Sequence, residues 1–258
     1  MDIWDITATH AALLLAAAFV AGALNAVAGG GSFLTLPALV WVGVPPVAAN
    51  ATGTVALLPG YAASAWGFRQ DMAPPPGLSM GKSVALSLVG GAAGAALLLL
   101  TPNDTFRRVV PWLLLGATAL FAFGPQIRAW ASRNTHPHAP ASTTKAALGM
   151  LAVALYGGYF NGGLGILCLA LFSLLGQTQL NAMNGMKNLV SALLTAIAVA
   201  IYAAGGIVQW QHALPMMLAA TAGGYGGARV ARKLPAHVLR WGIVATGLVM
   251  AALFFLKR

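Results

Sequence analysis

The chain has 258 residues, 59% of them hydrophobic and 7% charged, with a mean hydropathy of +0.80. A soluble domain is typically about a quarter charged, so this composition excludes a soluble globular protein and calls for a lipid bilayer around the chain. The net charge of +10 comes without a basic run interleaved with aromatics, which excludes a nucleic-acid surface, and the single cysteine, Cys168, excludes an internal disulfide and argues against a cysteine metal site.

In chain order, apolar segments bounded by polar or Pro/Gly punctuation are predicted at 10–28, 32–43, 47–66, 83–100, 109–127, 146–161, 165–176, 181–204, 212–228 and 238–256. The first imitates a signal peptide through "AVA" (26–28). However, the residues before it carry Asp2 and Asp5 and no Lys or Arg, so it reads as a retained helix. Most segments are long enough to cross ~30 Å of hydrocarbon as helix. The pieces 32–43 and 165–176 are not, at about 18 Å of helix each, and each follows a glycine-rich break. The polar stretch 128–145, "RAWASRNTHPHAPASTTK", is predicted as a flexible surface loop between a first membrane repeat (1–127) and a second (146–258).

The two halves read as a repeat. Each runs Asn, glycine cluster, short apolar piece, polar turn, then a helix opening with Asn and Gly; Gly31 and Gly53 in the first half answer to Gly165 and Gly185 in the second. Short, glycine-interrupted segments at matching places in two halves mark the binding site of a secondary transporter. If every segment crosses, each half crosses five times. One side then carries nine Lys and Arg (69, 82, 128, 133, 145, 229, 232, 233, 240) and the other four (107, 108, 257, 258). If the short pieces dip in and return, the split is seven to six. The positive-inside rule favours the uneven count, and five being odd, the halves are then inverted.

The chemistry concentrates at the breaks and in one helix. "GGGS" (29–32) and "NGGLG" (161–165) put irregular backbone at membrane depth, tolerated only where protein or water surrounds it. The helix after each break is expected to aim free N–H groups at the gap, with Ser32, Asn25 and Asn161 adding side-chain polarity. "GGAAG" (90–94) and "GGYGG" (223–227) read instead as small-residue contact faces. In "LNAMNGMKNLVSALL" (180–194), Asn184, Lys187, Asn188 and Ser191 share a helical face that Thr195 extends. The four acids, Asp2, Asp5, Asp71 and Asp104, all lie outside the predicted apolar segments, so no carboxylate there can neutralise Lys187. A snorkelling lysine needs no polar company. A lysine in an amide stripe reads as one that awaits an anion. The matching place in the first half offers Asn50, Thr52 and Thr54 and no charge.

"NAVAGGGSFLTLPAL", "GVPPVAANAT" and "TVALLPG" in the first half, with "YGGYFNGGLGI" and "LNAMNGMKNL" in the second, resemble the sulfite exporter TauE/SafE family over nearly the whole chain. The resemblance implies a membrane permease for sulfite, sulfoacetate or a related small anion. It also implies a site at Gly29, Gly30, Gly31, Ser32, Asn50 and Thr52 with Gly162, Gly163, Gly165, Asn184, Lys187 and Asn188, to which the residues alone add Asn25 and Asn161. The expectation is thus an all-α, polytopic membrane protein of two inverted halves, each with a glycine-broken helix and a half-length helix. Its expected place is the cell's inner (plasma) membrane, as a multi-pass protein. It is expected to export a small anion such as sulfite or an organosulfonate, bound between the repeats near the midplane. Expelling an anion from a negative interior is downhill by ~2.3 kcal/mol per charge per 100 mV. The expected partners are that anion and the lipid bilayer; no cofactor and no metal is expected, and a homo-oligomer is left open. The alternatives are a passive anion channel and a transporter of a different small organic anion. A membrane-embedded enzyme would need paired acids, a Ser/His pair or a metal cluster in the segments, and the sequence offers none.

Overall fold

The computed structural model describes residues 8–27, 30–133, 142–227 and 236–256, and these contain no strand. The helices are α1 (Ala8–Val27), α2 (Ser32–Trp41), α3 (Pro46–Gly67), α4 (Met80–Leu100) and α5 (Asn103–Arg133), then α6 (Thr143–Tyr159), α7 (Leu164–Leu174), α8 (Leu180–Ala204), α9 (Trp210–Ala222) and α10 (Ala236–Leu256). A π-helical turn, Gly223–Gly227, continues α9. By length and composition, Ala8–Asn25, α4 and α8 are each able to cross a membrane. Leu100, Leu218, Val89 and Leu148 point outward, more than half exposed, as expected of a lipid-facing surface.

The predicted segments fall on helices, with one correction. α5 runs through Arg133 and α6 begins at Thr143, so helix occupies both ends of the stretch expected to be a flexible loop; 134–141 lie outside the described residues. "FAFGPQIRAWASR" is polar enough to read as loop but continues the helix of the apolar run before it.

α2 and α7 are half-length because each ends in the same glycine turn. Gly43 (φ 95°) donates to the Val40 carbonyl and Val44 to that of Leu39; Gly176 (φ 91°) donates to Ser173 and Gln177 to Phe172. The left-handed glycine satisfies the last carbonyls and turns the chain. Pro45 and Pro46 then start α3. The hydrogen bonds match residue for residue, so positions 133 apart correspond across this part of the two halves (176 − 43 = 133). The same spacing pairs the Phe33-to-Gly30 bond with the Ile166-to-Gly163 bond. Gly30 therefore answers to Gly163, and Thr54 to Lys187. The sequence pairing of Gly53 with Gly185 is one residue out of register.

Both half-length helices fold back on their predecessors. Gly31 packs against the Ala21 carbonyl of α1 and Leu57 of α3, and Gly53 packs against Thr35 and Leu39, so α2 runs antiparallel to α3. Gly157 meets Leu164 and Gly149 meets Leu171, which lays α7 back along α6.

The halves grip each other through two interfaces of one design. A side chain at Gly22 of α1 would strike the Ala220 carbonyl of α9, and one at Gly223 would strike that of Phe19. At the other, Gly158 of α6 lies on the Gly91 carbonyl of α4, and Gly94 on that of Leu155. Residues 22 and 158 are 136 apart, as are 19 and 155; 91 and 220 are 129 apart, as are 94 and 223. Backbone-to-backbone packing of small residues is how helices associate where lipid leaves no hydrophobic drive between them.

Candidate functional site

α8 carries the charge. Lys187 is 5% exposed, and no described residue accepts a hydrogen bond from it or pairs with it as an ion. Asn188, Ser191 and Thr195 are buried on the same side of α8, and the hydroxyls of Ser191 and Thr195 have no partner among the described residues. Asn184 is half-buried and Asn181, at the mouth of α8, is exposed. The polar stripe therefore faces inward from Lys187 onward, and Asn181 stands outside it.

The two breaks bring their asparagines to one tyrosine. Tyr61 of α3, 5% exposed, donates to Asn161 Oδ1 at 3.3 Å and lies beside the Asn25 amide. Asn25 Oδ1 and Asn161 Nδ2 are buried and unpartnered among the described residues. Asn161 also holds a left-handed backbone, φ 63°, the single non-glycine residue described with positive φ. Such a conformation persists only where its surroundings over-determine it, and it clusters at functional sites. Cys168 of α7 completes the group, within electrostatic range of both Lys187 and Tyr61. Sequence reasoning missed Tyr61 and Cys168 as members.

Other expected site residues serve the frame. Asn50 Nδ2 donates to the Tyr159 carbonyl at 2.9 Å, closing the end of α6, and Thr52 Oγ1 accepts from the Gln209 amide at 3.0 Å, tying α3 to the turn before α9. Gly30, Gly31, Ser32, Gly162, Gly163 and Gly165 are all buried at the two breaks. Gly162 lies against the Phe160 ring and Gly163 against Ala117 of α5; Gly29 lies outside the described residues. Part of the expected supply of helix-end N–H groups is used within the breaks themselves. The carbonyls of Gly30 and Gly31 accept from Phe33, Leu34 and Thr35, and that of Gly163 accepts from Ile166 and Leu167.

A cavity of about 410 Å³ lies elsewhere, between α2, the Gly43 turn, the start of α5 and the end of α10, with Arg107 and Asn103 in its wall. Lys187 is not among its lining residues. Among the described residues, no cluster of His, Cys, Asp and Glu could hold a metal ion.

The buried cation, the unpaired amide and the unpaired hydroxyls each offer N–H or O–H, the chemistry that suits an anion. Known proteins agree with the membrane setting. The family model described as "Sulfite exporter TauE/SafE" matches residues 14–254. A Sinorhizobium protein named "Probable membrane transporter protein ORF9" is 26% identical over 249 residues, covering 93% of this chain and 90% of that one. A "Probable membrane transporter protein" of Haemophilus influenzae is 26% identical over 262 residues, covering 96% and 95%. The "Probable membrane transporter protein YfcA" of Escherichia coli K12 is 25% identical over 241 residues, covering 93% and 87%. No solved structure matches significantly. With a family match that takes in nearly the whole length, the chain belongs to the sulfite exporter TauE/SafE family of membrane transporters and is not an enzyme.

Proposed function

We propose that the protein is a secondary transporter of the inner membrane that exports a small anion, sulfite or an organosulfonate, held between two inverted repeats (1–127 and 146–258). The observation that carries this reading is Lys187, a buried cation without a described partner, on a helix whose buried Ser191 and Thr195 hydroxyls are also without one. A charge in the middle of a membrane protein is costly and marks a functional site by default.

Topology supports the reading. α1 is long enough to cross, but the chain turns back at Gly31, which touches Leu57 at the middle of α3. Gly157, at the second turn, touches Leu194 of α8. On this reading α1–α2 and α6–α7 are hairpins that enter from opposite faces and meet at mid-depth. Each half then crosses three times, through α3–α5 and α8–α10, rather than the five times expected. Three is also odd, so the halves remain inverted and the nine-to-four split of Lys and Arg is unchanged. Two hairpin tips facing each other across α3 and α8 form the kind of discontinuous site on which transporters rock.

The test is flux in liposomes for sulfite, sulfoacetate, sulfate, thiosulfate and lactate, with and without an imposed potential. Saturable movement of sulfite or an organosulfonate is expected. Absence of anion flux, or flux linear in concentration as in a channel, overturns the proposal.

A further inference from the structure

We infer that the cavity at the Gly43 turn is a site for one anionic phospholipid, with its phosphate on Arg107 and the start of an acyl chain in the groove below. It is separate from Lys187, which does not line this cavity.

The cavity, about 410 Å³, lies where α2 and α10 finish and α5 begins. Large apolar side chains near these ends face outward: Trp41 is 63% exposed, Leu100 80% and Leu256 81%. Trp112, also more than half exposed, sets its ring edge-to-face on Phe255 with centroids 5.2 Å apart. Exposed tryptophans near helix ends mark the level of the lipid headgroups. The walls are mostly apolar, with Val40, Trp41, Leu253 and Phe254 among them. Space between packed helices is filled, and at this depth acyl chain is the apolar material at hand.

Charge decides which lipid. The wall holds one charged side chain, Arg107, with Asn103 one turn before it on α5. Arg107 is exposed and has no ion pair or hydrogen bond among the described residues. Asn103 Oδ1 accepts from the Val47 amide at 3.2 Å, which pins the side chain and leaves its Nδ2 free to donate. Arg108 follows Arg107, and the sequence continues from α10 with Lys257 and Arg258. Asp104 is the single acid in these two stretches. An arginine fork with an amide donor beside it matches a phosphate in both geometry and sign. A zwitterionic headgroup brings its own cation to the same place and so gains less from the basic residues. Free phosphate would meet the arginine but leave the apolar groove empty.

The experiment is native mass spectrometry of the purified full chain, with phosphatidylglycerol and phosphatidylcholine of equal chain length supplied in equal amounts. Phosphatidylglycerol should be retained over phosphatidylcholine by about fivefold, the scale of one arginine beside an anionic headgroup. Arg107→Gln should bring the ratio close to one, and Arg107→Lys should keep part of it. Lys82→Gln, at the other end of α4 from this cavity, removes the same charge and should leave the ratio unchanged. Leu253→Trp fills the groove and should lower retention of both lipids; if that variant does not fold, the wild-type and Arg107 comparisons stand by themselves. Inorganic phosphate in excess should not displace phosphatidylglycerol. Equal retention of the two lipids by the wild type, an unchanged ratio in Arg107→Gln, or unchanged retention in a folded Leu253→Trp overturns the inference. Displacement by inorganic phosphate overturns it as well and makes the cavity a site for a soluble anion.

Discussion

At Lys187, binding and stability pull in opposite directions. With no anion present, its ammonium is buried beside neutral groups. Lys187→Met keeps the length and helix propensity of the side chain and removes the charge. Anion affinity should fall by at least ~1.5 kcal/mol, the lower range for a charged hydrogen bond, while the ligand-free melting temperature in detergent rises because a desolvated charge is gone. Equal affinities in calorimetry would show that the lysine does not hold the anion. Lys187→Arg should keep part of the affinity and slow transport, since a planar fork fits a small anion differently from a point charge. Tyr61→Phe tests the asparagines. Without its hydroxyl, Asn161 loses the bond at 3.3 Å and keeps two buried, unpaired amide atoms. A cost of ~1–3 kcal/mol should appear in thermal unfolding, and no loss of stability would mean that Tyr61 does not hold the break. Lys187, Asn25 and Asn161 were legible in the sequence because a charge or an amide is out of place in an apolar run. Tyr61 and Cys168 were not, since both residue types are ordinary there and their role exists through contacts a hundred or so residues away. Asn50 and Thr52 were seen as polar, but their partners are backbone atoms of Tyr159 and Gln209, invisible to local pattern.

The half-length helices are the elements the sequence announced most clearly, because glycine marks both ends of each, joined by Pro45 and Pro46 after the first. What the pattern did not carry was the use of several first-turn N–H groups, those of Phe33, Leu34 and Ile166 among them, which the breaks themselves accept. It also did not carry the register between halves: the first break is three residues longer, Asn25 to Gly30 against Asn161 to Gly163, and a sequence match blurs that difference. The helix contacts make a sharper prediction. Gly22 and Gly158 occupy equivalent places in two copies of one interface, each against a backbone carbonyl that cannot move aside. Gly22→Leu and Gly158→Leu should therefore fail alike, as loss of monodisperse protein in size-exclusion chromatography. Gly60 of α3 has open space where a Cβ would go, so Gly60→Ala should instead stabilise by ~0.5–1 kcal/mol. If one leucine variant is tolerated and the other is not, the two interfaces are not equivalent. At the second break, Gly163 has φ 74°. Gly163→Val should cost about 1–2 kcal/mol from handedness alone and block transport, and normal flux would move the site away from this break.

For the whole molecule, two related halves were legible as a repeat of motifs. A 20-residue apolar helix such as α1 satisfies every length criterion for a span, and the proposed hairpin rests instead on the contact of Gly31 with Leu57, level with the middle of α3. The sequence could not say that α1 leaves its own half to pack on α9 while α6 packs on α4, because that exchange depends on small residues that read equally well as any close contact. The proposed inverted arrangement would place the loop after α3, the turn before α8 and the connection before α10 on one face, and the start of α9 on the other. Single cysteines at Ser79, Thr178 and His237, in a Cys168→Ala background, should react with an impermeant reagent from the same side, and one at Gln211 from the opposite side. Ser32→Cys then separates hairpin from crossing. Ser32 is 8% exposed, next to the Gly31 that meets mid-α3. On a hairpin tip it should resist the reagent from both sides, whereas a full crossing by α2 would bring it to a surface. Labelling of Ser79 and His237 from opposite faces would remove the inverted repeat. Ready labelling of Ser32→Cys would restore five crossings per half and place the break at the membrane surface, too far from Lys187 for the two to share an anion.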